Sequence, residues 1–222
     1  PNFFLKDFIE KEAYYLRENR FLLYSTDENL GITVLTDTTE RAPTFNLNPF
    51  ENFKDKYSIP SNFYLFFPNS GNAMEAWKLL LGREPRTFLW KDVTNETSFD
   101  RLAGFDFSKG LISKRRSLGI KHEFFSIHQK EKGLLFKLGD LEYYLVIENN
   151  KPLILHIILK LILNTLSTLV MGKLGRFQGN LMTWVRPSNN KLIDRAIRYS
   201  QLLLKEKGIT VSYENVARAC FI

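Results

Sequence analysis

Short apolar runs alternating with helical segments predict an α/β domain, a central parallel sheet with helices on both faces. Three observations carry this. RFLLYST (20–26) and NFYLFF (62–67) are brief apolar runs that end in turn formers. AMEAWKLLLG follows the second run directly, with helical spacing and Gly82 as its natural stop. From about Glu148 the alternation ends and a helical appendage begins.

The elements follow in order. Residues 3–18 read as an amphipathic helix with Phe4, Phe8, Ala13 and Tyr15 among its apolar positions. RFLLYST is a first buried strand and NFYLFF a second, stopping at Pro68-Asn69-Ser70-Gly71. RTFLW (86–90) reads as a third strand, residues 107–118 contain a basic helix, and HEFFSI (122–127) reads as a fourth strand. Residues 152–175 form a long apolar helix. A second helix, capped by Ser188 or Asn189, runs to Gly208, and Ser212 caps a short last one.

Composition narrows the function classes. The chain has 222 residues, 44% hydrophobic and 25% charged, an ordinary globular balance. A net charge of +7 invites a nucleic-acid partner, but Lys and Arg are scattered and the densest cluster is Lys114, Arg115 and Arg116. No nucleic-acid partner is expected. The single cysteine, Cys220, rules out a disulfide within the chain and fits a cytoplasmic setting. PLILHIILKLILNTLSTLVM (152–171) is long enough to span a bilayer. His156, Lys160 and Asn164 inside it are costly there, so a buried core helix is expected and no membrane partner. Pro1 opens the chain without a Met and within a helical pattern, which reads as part of a longer protein.

Three constellations could carry chemistry. His156, Lys160, Asn164 and Thr168 recur every fourth residue, with Ser167 beside them, and so share one helix face. This polar strip is either a solvent-facing stripe on a packed helix or one wall of a ligand pocket, with Lys160 as a charge for phosphate or carboxylate. PNSGNAMEAW (68–77) ends a strand and opens a helix, the geometry in which free N–H groups cradle phosphate; Ser70 and Gly71 would do so, or would only cap the helix. VLTDTTERAPTF (34–45) places Asp37 and Glu40 after an apolar run, either as site acids or as helix-end acids. His122, His128 and His156 lack metal-ligand spacing, and neither a nucleophile elbow nor a Walker loop is present. No metal and no cofactor are expected.

At GRFQGNLMTWVRPSNNKLIDRAIR (175–198) the chain resembles the glucokinase regulatory protein and N-acetylmuramic acid 6-phosphate etherase family, built from sugar isomerase (SIS) domains. Its signature falls on Gly179, Asn180, Met182, Asn189 or Asn190, Lys191, Leu192, Arg195 and Ala196. LKLILNTLST (159–168) is similar to the family's Lys-x-x-x-Asn-x-x-Ser/Thr-Thr helix, and TDTTERAPTF (36–45) to its Asp-x-x-Glu-x-x-x-Thr-Phe box.

The resemblance implies an SIS-type three-layer sandwich with a central parallel sheet over residues 1–150, the second SIS domain of a tandem protein, and a C-terminal helical lid over 151–222. It implies a pocket for a phosphorylated sugar of the fructose phosphate or N-acetylmuramic acid 6-phosphate type. In the regulators a lysine matching Lys160 reaches the phosphate and an acid matching Glu40 lies near the sugar; in the etherase the box glutamate is the catalytic base. It also makes β-branched ITVLT (32–36) the start of a helix, against its strand propensity.

One departure is plain: where the family carries a Gly-Thr-Ser-Gly-Arg phosphate loop, this chain reads STDENLG (25–31), and Asp27 and Glu28 would repel a phosphate. The expected function is therefore a non-catalytic sugar-phosphate-binding module of a glucokinase-regulator-like protein. Lys160, Glu40, Asn164, Ser167, Thr168, Ser70 and Gly71 are its candidate ligand residues. A lyase or isomerase with Glu40 as base, and a pure interaction module with a sugar kinase partner or homodimer, stay open as alternatives.

Overall fold

The apolar segments assemble around one sheet. The computed structural model describes residues 4–88, 98–148 and 151–221. In chain order they form α1 (Leu5–Arg17), β1 (Phe21–Thr26), α2 (Gly31–Phe45), β2 (Phe63–Phe66), α3 (Ala73–Leu81), α4 (Phe99–Ala103) and α5 (Gly110–Ser117). Then come β3 (His122–Lys130), β4 (Gly133–Leu138), β5 (Leu141–Val146), α6 (Pro152–Lys173), a small hairpin of β6 (Phe177–Gln178) and β7 (Leu181–Met182), α7 (Asn190–Glu206) and α8 (Tyr213–Ala219).

The sheet order is β2-β1-β3-β4-β5. β1 pairs in parallel with β2 and β3, whereas β3–β4 and β4–β5 are antiparallel. The expected central parallel arrangement is present in β2-β1-β3, and an antiparallel pair, β4 and β5, extends it on one side. The β4–β5 connection is the two-residue turn Gly139-Asp140, with Gly139 at φ +62°, a conformation that side-chain-free glycine adopts without strain. A central sheet with helices on both faces is the architecture, consistent with an SIS-like sandwich. Arg86–Phe88 corrects one expectation, being a short 3-10 turn instead of a strand; Leu89 and Trp90 lie outside the described residues.

Burial follows strand position. β1 is covered on both faces, as a central parallel strand must be, with Leu22, Leu23 and Tyr24 wholly inaccessible. On one face α1 lays Phe8 on Phe125 (centroids 5.6 Å apart), and Phe4, just before the helix, stacks on Tyr143 (4.0 Å). On the other face Phe50 stacks on Tyr64 at 4.0 Å and Trp77 meets Phe107 edge-on. β5 alternates half-buried and exposed residues, as expected of an edge strand with one covered face.

α2 shows why the box is helical despite its β-branched residues. The hydroxyls of Thr38 and Thr39 donate back to the carbonyls of Val34 (3.0 Å) and Leu35 (2.8 Å), which satisfies them inside the helix. α6 buries Leu155, Leu159, Leu163, Leu166 and Val170 in the main core, packed against α1 and α2. It is not buried all round, which corrects the expectation of a fully buried helix. Leu153 and Leu161 on its outer side are 70% and 62% exposed. By length and composition α6 could cross a bilayer, and a third of its most apolar window is buried.

A second element of order is the buried pair Arg115–Glu51, which ties α5 to the loop before β2. The guanidinium donates to both carboxylate oxygens at 2.9 and 2.7 Å, and Glu51 also accepts from the Ser61 N–H at 2.6 Å. Arg115 Nη1 has no partner among the described residues. Removing the acid strands an inaccessible cation, so Glu51→Ala is expected to lower the unfolding free energy by about 3–5 kcal/mol in urea melts. Glu51→Leu combined with Arg115→Met should recover most of that loss.

Candidate functional site

The box on α2, the polar strip on α6 and the signature on α7 meet at one cavity of about 460 Å³. Thr39, Glu40 and Thr44 come from α2, and Asn164, Ser167 and Thr168 from α6. Met182 of the hairpin and Asn189, Lys191 and Arg195 at the start of α7 close the other side. The volume matches that of small-molecule sites.

The walls are held from behind. Arg41 is buried beneath the cavity and donates to Asp37 Oδ2 through Nε (3.0 Å) and Nη2 (2.7 Å), and to Glu12 Oε1 through Nη1 (2.7 Å). The Tyr24 hydroxyl donates to the other Glu12 oxygen at 2.9 Å. The guanidinium lies over the rings of Phe63 (4.3 Å) and Tyr24 (5.1 Å), so aromatic faces complete its surroundings. On the far side, Arg176 donates to the Phe45 carbonyl and the Arg186 N–H to the Pro43 carbonyl at 2.9 Å. Those two bonds fix the hairpin, and with it the entry to α7, against the end of α2. Asn189 caps α7 by accepting from the Leu192 N–H at 3.0 Å.

Glu40, Asn164, Ser167 and Thr168 thus share the cavity. Lys160 does not line it, but reaches Glu40 Oε2 at 2.8 Å from its edge. Glu40 is largely solvated, with a side chain 64% exposed. Ser167 is buried and donates to the Asn164 carbonyl at 3.1 Å, so it shapes the wall more than it offers a free donor. His156 is engaged by the Thr33 hydroxyl at 2.8 Å.

Ser70 and Gly71 lie elsewhere, at the end of β2. The Ser70 hydroxyl donates to the Phe67 carbonyl at 2.9 Å, and the Gly71 N–H donates to Glu75 Oε2 at 2.7 Å. A carboxylate of the chain itself thus occupies the expected phosphate cradle. The loop after β1 is closed in the same manner: Asp27 meets His128 Nδ1 at 2.9 Å and accepts from the Gln129 N–H at 2.6 Å.

Arg41, Lys191 and Arg195 also line the cavity, although sequence reasoning assigned none of them a ligand role and named Lys191 and Arg195 only within the family signature. Lys191 and Arg195 had a signal, since an i,i+4 spacing puts both on one face of α7. Arg41 stands four residues from Asp37, but its burial could not be read. Among the described residues no group of three or more His, Cys, Asp or Glu could hold a metal.

No family model matches the chain. Among curated proteins, it is similar to N-acetylmuramic acid 6-phosphate etherases over short stretches. It is 50% identical to that of a Synechococcus species over 58 residues, 25% of this chain and 18% of the relative. With the Clostridium acetobutylicum protein it shares 59% over 53 residues, 22% and 18% of the two chains. With a Porphyromonas gingivalis protein it shares 48% over 56 residues, 25% and 19%. The chain thus spans about a fifth of the length of the curated relatives it matches. The likeness supports the etherase side of the resemblance and gives no support to the glucokinase-regulator side.

The buried cluster makes stability depend on pH. Burial pushes the Glu12 carboxyl above its ordinary value, against the attraction of Arg41. The unfolded chain releases this proton near pH 4.3, whereas the native protein holds it to higher pH. The native state therefore binds more protons, and the stability present at low pH falls as pH rises through the elevated native value. Urea melts across this range should show that decline in the native protein and a flatter profile in Glu12→Gln.

Proposed function

We propose that the chain is a phosphosugar-binding module of SIS type, related to the N-acetylmuramic acid 6-phosphate etherases, and that the cavity between α2, α6 and α7 is its ligand site. The observation that carries this is convergence. Three separate stretches chosen for their resemblance, at 36–45, 159–168 and 175–198, contribute side chains to the same cavity. Asn164 and Thr168 offer an amide and a hydroxyl, and Glu40 offers a carboxylate, the groups that recognise sugar hydroxyls. In this reading α6 belongs to the core it shares with the sheet, and α7 with α8 forms the cover that the lid expectation described.

Binding is favoured over turnover by the setting of Glu40. Its solvated carboxylate is paired with Lys160, whereas acids that move substrate protons usually act from water-excluded positions. The second reading is a lyase in which Glu40 is the base; it is favoured by the activity for which the curated relatives are named. No observation supports a kinase partner or a homodimer.

N-Acetylmuramic acid 6-phosphate and fructose 6-phosphate, each in thermal-shift titrations, test the proposal. A ligand at a hundred times its Kd stabilises by about 2.7 kcal/mol and should raise Tm by a few degrees. Asn164→Ala should weaken that response about tenfold in ligand concentration without lowering the unliganded Tm. No shift with either sugar at millimolar concentration contradicts the binding reading. Turnover that survives in the native protein and is lost in Glu40→Gln establishes the lyase instead.

A further inference from the structure

The charges around the cavity differ sharply in whether they are already matched. Arg41 spends its guanidinium on Asp37 and Glu12. Lys160 spends its ammonium on Glu40, and a phosphate brought to Lys160 would meet that carboxylate first. The two strand-end loops hold Asp27 and the carboxylate of Glu75 in place of any external anion.

Lys191 and Arg195 differ. Both line the cavity, one helical turn apart on the same face of α7, and neither forms an ion pair among the described residues. Among the described residues the hydrogen-bond contact of the Arg195 guanidinium is the soft sulfur of Met182, Nη1 to Sδ at 3.8 Å. The nearby acid Asp194 does not neutralise them, because Arg198 (2.8 Å) and the Tyr213 hydroxyl (3.0 Å) hold its carboxylate. Across the cavity stand Asn164 and Thr168.

We propose that Lys191 and Arg195 form the anion subsite of this cavity and take the phosphoryl group of the ligand, while the Glu40–Lys160 pair faces its sugar. This inference rests on the phosphosugar reading above. It reassigns the phosphate from α6, where the resemblance puts it, to the cover helix. An arginine fork and a lysine point charge suit a phosphoryl group with several acceptor oxygens. The start of a 17-residue helix adds to the favourable field. α7 itself buries only Leu192 and Ile197, so a ligand bridging Lys191 and Arg195 to α6 would also fasten the cover.

Calorimetric titration of the native protein, Lys191→Ala/Arg195→Ala and Lys160→Ala tests this, with N-acetylmuramic acid 6-phosphate and unphosphorylated N-acetylmuramic acid as ligands. The double variant should bind the phosphosugar at least tenfold more weakly, with its affinity for the unphosphorylated sugar unchanged. Restoring charge with Lys191→Arg/Arg195→Lys should recover part of the loss. Lys160→Ala should weaken both ligands to the same degree. Equal phosphosugar binding by native and double-variant protein overturns the assignment, as does a phosphate-selective loss in Lys160→Ala. If the native protein binds both ligands equally, the cavity reading stands and the anion subsite falls. If it binds neither, both fall.

Discussion

Arg41 is the interaction on which the rest of this structure depends. A guanidinium with 1% of its side chain exposed joins Glu12 of α1 to Asp37 of α2, while Tyr24 of β1 completes the cluster. Burial works against its charge, but the surrounding Tyr24, Asp37 and Glu12 outweigh that cost and hold it protonated. Two carboxyl groups share one guanidinium, so the cluster has one acid more than it has cations, and burial raises the Glu12 carboxyl above its ordinary value against the attraction of Arg41. Desolvating such groups costs several kcal/mol per ion, and only complete pairing offsets it. The geometry is correspondingly strict, because α1, β1 and α2 each supply a partner to the same hydrogen-bonded cluster.

That strictness reaches the cavity. Asp37 and Arg41 fix the rotation of α2, which turns Thr39, Glu40 and Thr44 towards α6. α6 is set by an apolar face of its own, Leu155 to Val170, which leaves Asn164 and Thr168 on the side facing α2 and α7. The hairpin is tied to the end of α2 by Arg176 and by the Arg186 N–H, and it delivers α7 with the two cations, Lys191 and Arg195, that line the cavity. Meanwhile the strand ends, where α/β sheets ordinarily bind their ligands, hold carboxylates of the chain itself. In the proposed reading the ligand lies beneath the helix cover instead of at the sheet edge.

The parts of this that were legible in the sequence are those written in local patterns. β1, β2 and the caps at Gly82, Asn189 and Ser212 follow from apolar runs and turn residues, and the structure has them there. α2 was legible only through the resemblance, because propensity reads Ile32, Thr33 and Val34 as strand; back-bonding of the threonine hydroxyls reconciles the two. β4 and β5 went unread although Gly139-Asp140 between leucine-rich runs is a hairpin signal. Ser70 and Gly71 stand apart from the cavity, and Glu75, four residues on, folds back onto the Gly71 N–H as the Asn72-x-x-Glu75 capping pattern allows. The polar strip of α6 left two readings open, and only tertiary packing puts Asn164 and Thr168 opposite α7 while Lys160 is drawn off by Glu40.

The central claim is the location of the ligand: between α2, α6 and α7, and away from the strand-end loops. Hydrogen–deuterium exchange with saturating N-acetylmuramic acid 6-phosphate locates it directly. Slower exchange in segments 39–45, 164–168 and 189–195, with 25–31 and 68–72 unchanged, is the result this account predicts. Protection confined to 25–31 and 68–72 would contradict it.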